Sequence, residues 1–374
     1  MSRSKLIILF AIVLLMTVPV SMAQAQTPAQ GTAMAVVSDA GTSLSSRLTV
    51  TMTGAARAPE GFRYEGWLVG DDGSGPLSVG FIAVGPGGSA SLTYDSPDGA
   101  NLIAAYSQFV ISVEPNPDPD PAPSADKPYM DAVPLAAMAH IRHLVVSWPA
   151  GSDTGILTDL KSQLDVAIQH SRLARDGATI DDLRTHIHHV INIIEGEGGD
   201  NFDAAFGNPG DGVGVLAHAG LRQHAQFAMD AAPGDPAIEM HGANVLQYGM
   251  NSETWAVQAR DEALAVLDEE SLTIARTLTN TVEGRLIAAR NGITATGQGG
   301  AHQAYLQAQM MAKFQAPSVR GGGAGPSQVG GMPGLPLVGD SSIPMVAQFA
   351  LLGSIAMLGL GGYLMLRDRR RNRA

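Results

Sequence analysis

Cysteine is absent from all 374 residues. That excludes disulfides, thiolate metal sites, a cysteine nucleophile, a lipid-modified N-terminal cysteine and covalent haem attachment through Cys-x-x-Cys-His. Basic residues are also scarce, 23 Lys and Arg against 35 Asp and Glu, for a formal charge of −12. A chain of that sign lacks the positive footprint that nucleic acid requires, which argues against such a partner. Gly-x-Ser-x-Gly, a phosphate-binding loop and His-Glu-x-x-His are missing too. No enzyme class is signalled, and a non-enzymatic protein is the expectation.

Long apolar runs, by contrast, are present at both ends. Residues 343–366 carry no formal charge and are followed at once by Arg367-Asp368-Arg369-Arg370-Arg371-Asn372-Arg373. A helix needs about 20 such residues to cross a bilayer, and short basic flanks stay in the cytoplasm. At the other end Arg3 and Lys5 precede an apolar run over 6–20 and then Ala23-Gln24-Ala25, the pattern of a removable secretory signal over 1–25. The expected topology is a single-pass cell-membrane protein with the bulk of the chain extracytoplasmic, a transmembrane helix at 343–366 and a cytoplasmic basic tail at 367–374. The tail has a second reading. Leu335-Pro336-Leu337-Val338-Gly339, the apolar run and the basic end together resemble a sortase cell-wall sorting signal, with Val338 where that family carries Thr.

Between the ends, composition changes three times. Residues 32–115 are rich in Gly, Ser, Thr and Val. Short alternating runs at 48–52, 64–69, 78–84, 89–94 and 109–113 read as strands separated by Gly-, Pro- and Asp-containing turns, and regular spacing of short strands implies an all-β sandwich. Residues 116–126 alternate Pro with Asp, Asn and Ala, as in a stiff extended linker. Residues 127–315 turn to helical periodicity, and 316–342 are a Gly/Pro-rich stalk. The expected fold is therefore a sandwich followed by an all-α helical bundle and a membrane span.

The β-rich part carries a resemblance. Arg63-Tyr64-Glu65-Gly66-Trp67-Leu68-Val69, Pro76-Leu77-Ser78-Val79-Gly80-Phe81 and Val110-Ile111-Ser112-Val113-Glu114-Pro115 resemble the extracytoplasmic domain of anti-sigma-K factors of the RskA type. The resemblance implies a shared extracytoplasmic module. It does not imply sigma-factor inhibition, because a cleavable signal stands where that family has its sigma-binding domain. Trp67 and Leu68 read as core, and Glu114 as a ligand for a backbone group at the sheet edge.

In the helical stretch, periodicity predicts helices over 154–176, 179–195, 213–231, 236–249 and 253–290, with Asp153 and Asp235-Pro236 as starts. Antiparallel hairpins packed as a bundle account for the short connections. Leu264, Leu267, Ile274, Leu278 and Leu286 form a seam along the last helix, which packs on the bundle or pairs with a second copy of the chain as a homo-oligomer.

An internal repeat runs through this region. Gln169-His170 precedes His186-Ile187-His188-His189-Val190-Ile191, and Gln223-His224 precedes His241-Gly242-Ala243-Asn244-Val245-Leu246. A further copy of the second half reads His140-Ile141-Arg142-His143-Leu144-Val145. Repeated helical hairpins explain the spacing. At about 100° per residue, Leu183, Ile187, Val190, Ile191 and Ile194 form one stripe, with His186 on its flank and His189 nearly opposite. His140 and His143 hold the same positions against Met138, Ile141, Val145 and Trp148. These histidines therefore line a second face. Either that face is solvated, or it is a metal site in which His140, His143, His186 and His189 are the candidate ligands. A pair three residues apart joined by a third histidine from another helix suits zinc, copper or nickel, and a metal- or haem-binding surface protein is the alternative to a binding or sensing module for an unidentified extracellular protein or ligand. The acidic loop from Glu195 to Gly212 lacks the alternating carboxylates of a calcium loop and reads as a structural connection.

Overall fold

A computed structural model describes residues 31–319. The expected signal (1–25), the stalk beyond Val319, the pentapeptide at 335–339, the span at 343–366 and the tail at 367–374 lie outside the described residues. Among the described residues no helix is long and apolar enough to cross a membrane.

Among the described residues eight strands form two four-stranded antiparallel sheets. The first has the order β5 (Ala90–Asp95), β2 (Ser43–Thr53), β1 (Thr32–Ala40), β8 (Phe314–Pro317). The second has the order β4 (Leu77–Ile82), β3 (Phe62–Gly70), β6 (Tyr106–Pro115), β7 (Tyr129–Ala132). Alternation sets the faces: Ala33, Ala35 and Val37 of β1 and Leu48, Val50 and Met52 of β2 are buried, while their neighbours along each strand are less so. Phe109 of β6 stacks on Phe314 of β8 with ring centroids 6.0 Å apart, joining the sheets. Trp67 is buried, with its indole N–H donating to Ser112 Oγ at 2.7 Å. A one-turn helix, α1 (Leu102–Ala105), leads into β6.

The helical region is α2 (Leu135–Val145), α3 (Ile156–Asp176), α4 (Ile180–Glu195), α5 (Val215–Gly220), α6 (His224–Ala231), α7 (Pro236–Leu267), α8 (Leu272–Asn291) and α9 (Ala301–Met311). It begins and ends in strand. β7 pairs with β6 and β8 with β1, so the bundle is set between two strands of the sandwich, and one continuous core runs through both. Residues 116–126 accordingly do not act as a spacer. Ser124 N donates to Glu114 Oε1 at 2.8 Å, Ser124 Oγ donates to the Val113 carbonyl at 3.0 Å, and Val113 N donates to the Asp126 carbonyl at 2.8 Å. That folds the segment back on β6 and gives Glu114 the backbone partner expected of it.

The long helix expected over 253–290 is two. α7 runs on to Leu267, then stops at Asp268-Glu269-Glu270. Three acids at a helix C-terminus face the negative end of its dipole, and Ser271 caps the next helix. The apolar seam therefore breaks: Leu286 is buried, but Ile274 and Leu278 are exposed. At the other end of α7, Asp235 accepts hydrogen bonds from Ala237 N and Ile238 N, with Pro236 in the first turn. Asp153 is not a cap; Gly155 holds that position on α3.

Candidate metal centres

α4 starts on a capping box between Thr179 and Asp182, and its apolar stripe of Leu183, Ile187, Val190, Ile191 and Ile194 is fully buried. Locking that stripe into the core fixes the rotation of the helix. His186 and His189, three residues apart, then both face α3. The Nδ1 atoms of His186 and His189 each lie 3.2 Å from Nδ1 of His170. His189 is thus half-buried, where the helical wheel put it nearly opposite the core.

α2 repeats the arrangement. Arg142, between its two histidines, donates to both carboxylate oxygens of Asp71 at 2.6 and 2.8 Å and to the Ile103 carbonyl at 2.9 Å, pinning the helix to the sandwich. His140 and His143 Nδ1 each stand 3.2 Å from Nδ1 of His224, the first residue of α6. α2 ends at Val145, so Trp148 is not on its stripe. It lies in the following loop, its ring 4.5 Å from that of His143 and 4.6 Å from that of His224, with Phe227 5.4 Å from His140.

Each trio could hold one ion, with all its ligand atoms within 4.8 Å of one another. Three nitrogens bound tetrahedrally at about 2.0–2.1 Å would be about 3.3 Å apart, close to the 3.2 Å that separates each paired histidine from its cross-helix partner. Burial, and then the neighbouring imidazoles, push His170 and His224 down to about 4 and lower His143 and His186 as well. At neutral pH these rings are neutral, as ligation requires. Nitrogens 3.2 Å apart leave no space for a porphyrin between them, so the geometry favours a bare ion over haem.

The loop 196–214 closes over the trio of His170, His186 and His189. Its ends approach so closely that a Cβ on Gly196 would lie 2.1 Å from the Val213 carbonyl oxygen, and Gly196 has φ +72°. Fully buried Asn192 of α4 donates to the carbonyls of Asp203 (2.8 Å) and Gly207 (2.6 Å) and accepts from Asp203 N (2.8 Å). The turn so gripped presents the Phe206 carbonyl to Nε2 of His189 at 2.9 Å and lays the Phe206 ring on His188. Two carboxylates of this loop and its approach are engaged locally. Glu195 pairs with Arg260 and Asn201, and Asp211 with His218 at 2.7 Å.

The four histidines singled out from sequence thus fall in two pairs, each joined by a third histidine from another helix. Sequence reasoning left out His170, His224 and Asn192; the repeated Gln-His pair was the available signal for the first two.

Residues 6–128 match the family model of the C-terminal domain of anti-sigma-K factor rskA. The chain therefore carries an anti-sigma-K-factor-type domain in its N-terminal third, where the strand motifs pointed. Both histidine trios lie beyond the match. No curated protein and no solved structure matches the chain significantly.

Proposed function

We propose that this chain is a single-span, membrane-anchored extracytoplasmic protein whose helical region binds two transition-metal ions, one on each histidine trio, in a binding or sensing role without catalysis. The observation that carries the reading is that two Nδ1 atoms three residues apart on one helix each stand 3.2 Å from the Nδ1 of a third histidine on another helix, twice in one chain. Among the described residues each group is three imidazoles with ligand atoms within 4.8 Å of one another, a donor set that suits zinc or copper. The membrane part of the reading is supported by the uncharged run at 343–366 with its arginine-rich flank. The anti-sigma-K-factor-type domain supports an extracytoplasmic location for the rest.

Titration of the purified full chain with Zn(II) or Cu(II) is expected to give two equivalents. His170→Ala removes one, His224→Ala the other, and the double variant binds neither. Two equivalents retained by the double variant would overturn the assignment. Membrane fractionation checks the anchor: full-length chain in the soluble cytosolic fraction, signal intact, contradicts it.

A further inference from the structure

The third copy of the sequence repeat, His241-x-x-Asn244, also meets one residue from another helix. His241 Nδ1 donates to Oε1 of Gln307 on α9 at 2.7 Å, and Asn244 Nδ2 donates to the same oxygen at 3.1 Å. The connectivity is that of the metal centres. In each, the two residues three apart on one helix aim one nitrogen apiece at a single side-chain atom across the helix pair: His140 and His143 at His224, His186 and His189 at His170, His241 and Asn244 at Gln307. The helix pairs α2 with α6, α4 with α3, and α7 with α9 are all in direct packing contact.

The structure assigns to His241, Asn244 and Gln307 the place of a third metal clip, closed by hydrogen bonds in place of an ion. The inference rests on the metal reading of the two histidine trios and extends it to the whole helical region, which becomes three clips of one design. In the third, two amides stand where imidazoles would complete the donor set. A lone imidazole with two neutral amides is a poor site for a first-row ion, whereas one amide oxygen accepting from both partners satisfies them without metal. His241 is buried, and with Nδ1 donating, its Nε2 has no hydrogen-bond partner among the described residues. Among the described residues the hydrogen bond to Gln307 is thus the ring's one polar contact, in the place of ligation. Position explains the exchange. α9 runs directly into β8, which closes the first sheet against β1, and Tyr305 and Gln309 of α9 donate to Asp39 of β1 at 2.8 and 2.6 Å. The clip that brings the chain back to the sandwich is permanent, while the other two answer to metal supply.

The test is zinc titration of the full chain beside the variant carrying Asn244→His and Gln307→His. Two equivalents in the parent and three in the variant support the inference. Two in a variant whose circular dichroism matches the parent overturn it. A parent that takes no zinc sinks the metal reading instead, and one equivalent in the variant would then still support the shared design. Hydrogen exchange on the unsubstituted chain gives a second measurement that does not depend on the variant folding. Zinc is expected to raise amide protection in α2, α3, α4 and α6 and to leave the central turns of α7 and α9 around Asn244 and Gln307 unchanged. Equal gains there would overturn the inference.

Discussion

The Nε2–H of His189 donates to the Phe206 carbonyl, and this bond turns the lone pair of Nδ1 toward His170. A carbonyl only accepts, so the tautomer is fixed before any ion arrives. The loop bearing Phe206 is set in place by Asn192, one turn further along the same helix. α4 thus supplies two ligands and also the clamp that orients one of them.

Loosening that loop is expected to weaken one site only. Phe206→Ala removes the ring stacked 3.7 Å from His188 and frees the turn to shift its carbonyl. Loss of such an orienting partner typically costs about 10- to 100-fold in metal affinity. Calorimetry should show that loss for the His170, His186, His189 trio, with the other trio unchanged. An equal loss at both sites would point to a general effect on the fold.

Trp148 offers a reporter for the other trio. Its ring is within 4.6 Å of His143 and His224, so Cu(II) bound there should quench its emission at contact range. The quench is expected to survive His170→Ala and to vanish in both His224→Ala and Trp148→Phe. Trp67 and Trp255 supply the remaining emission, which the Trp148→Phe variant measures separately.

How far the sequence could lead is visible in α4 and α7. The stripe on α4 was legible because five aliphatics at helical spacing and a Thr-x-x-Asp start all agree. The break after Leu267 was not, because Leu264, Leu267, Ile274 and Leu278 keep helical spacing across it while only the acids at 268–270 oppose continuation. β8 was illegible for another reason: four residues are too few for a pattern, and its partner β1 lies over 270 positions away. β1 itself alternates plainly enough to have been found. For the histidines, the local pairs were legible because i and i+3 share a face. Their third partners were not, since which helices pack together is a tertiary fact.

Asp235 is a test of the local reasoning. Its carboxylate accepts from Ala237 N at 2.9 Å and Ile238 N at 3.0 Å, satisfying two amides that the first turn of α7 leaves open. Asp235→Ala should lower unfolding free energy by about 0.5–2 kcal/mol, read by urea denaturation. Asp235→Asn or Asp235→Ser should recover most of it. Metal stoichiometry is expected to stay at two, because neither trio touches this cap.

Acid should act on the metal-free protein through the same rings that hold the ions. His170 and His224 titrate at about 4 in the fold but near 6.5 in an unfolded chain. Between those values the unfolded chain binds more protons, so stability falls as pH drops. The melting temperature of the metal-free protein should therefore decline from pH 7 toward pH 4, and His170→Gln with His224→Gln should flatten that decline. Because protons compete weakly for these nitrogens above pH 5, bound zinc should be retained at pH 6 and released as pH approaches 4. A release midpoint at pH 6.5 or above, followed by zinc-indicator fluorescence, would mean the rings are ordinary solvated histidines and would remove the electrostatic basis for the assignment.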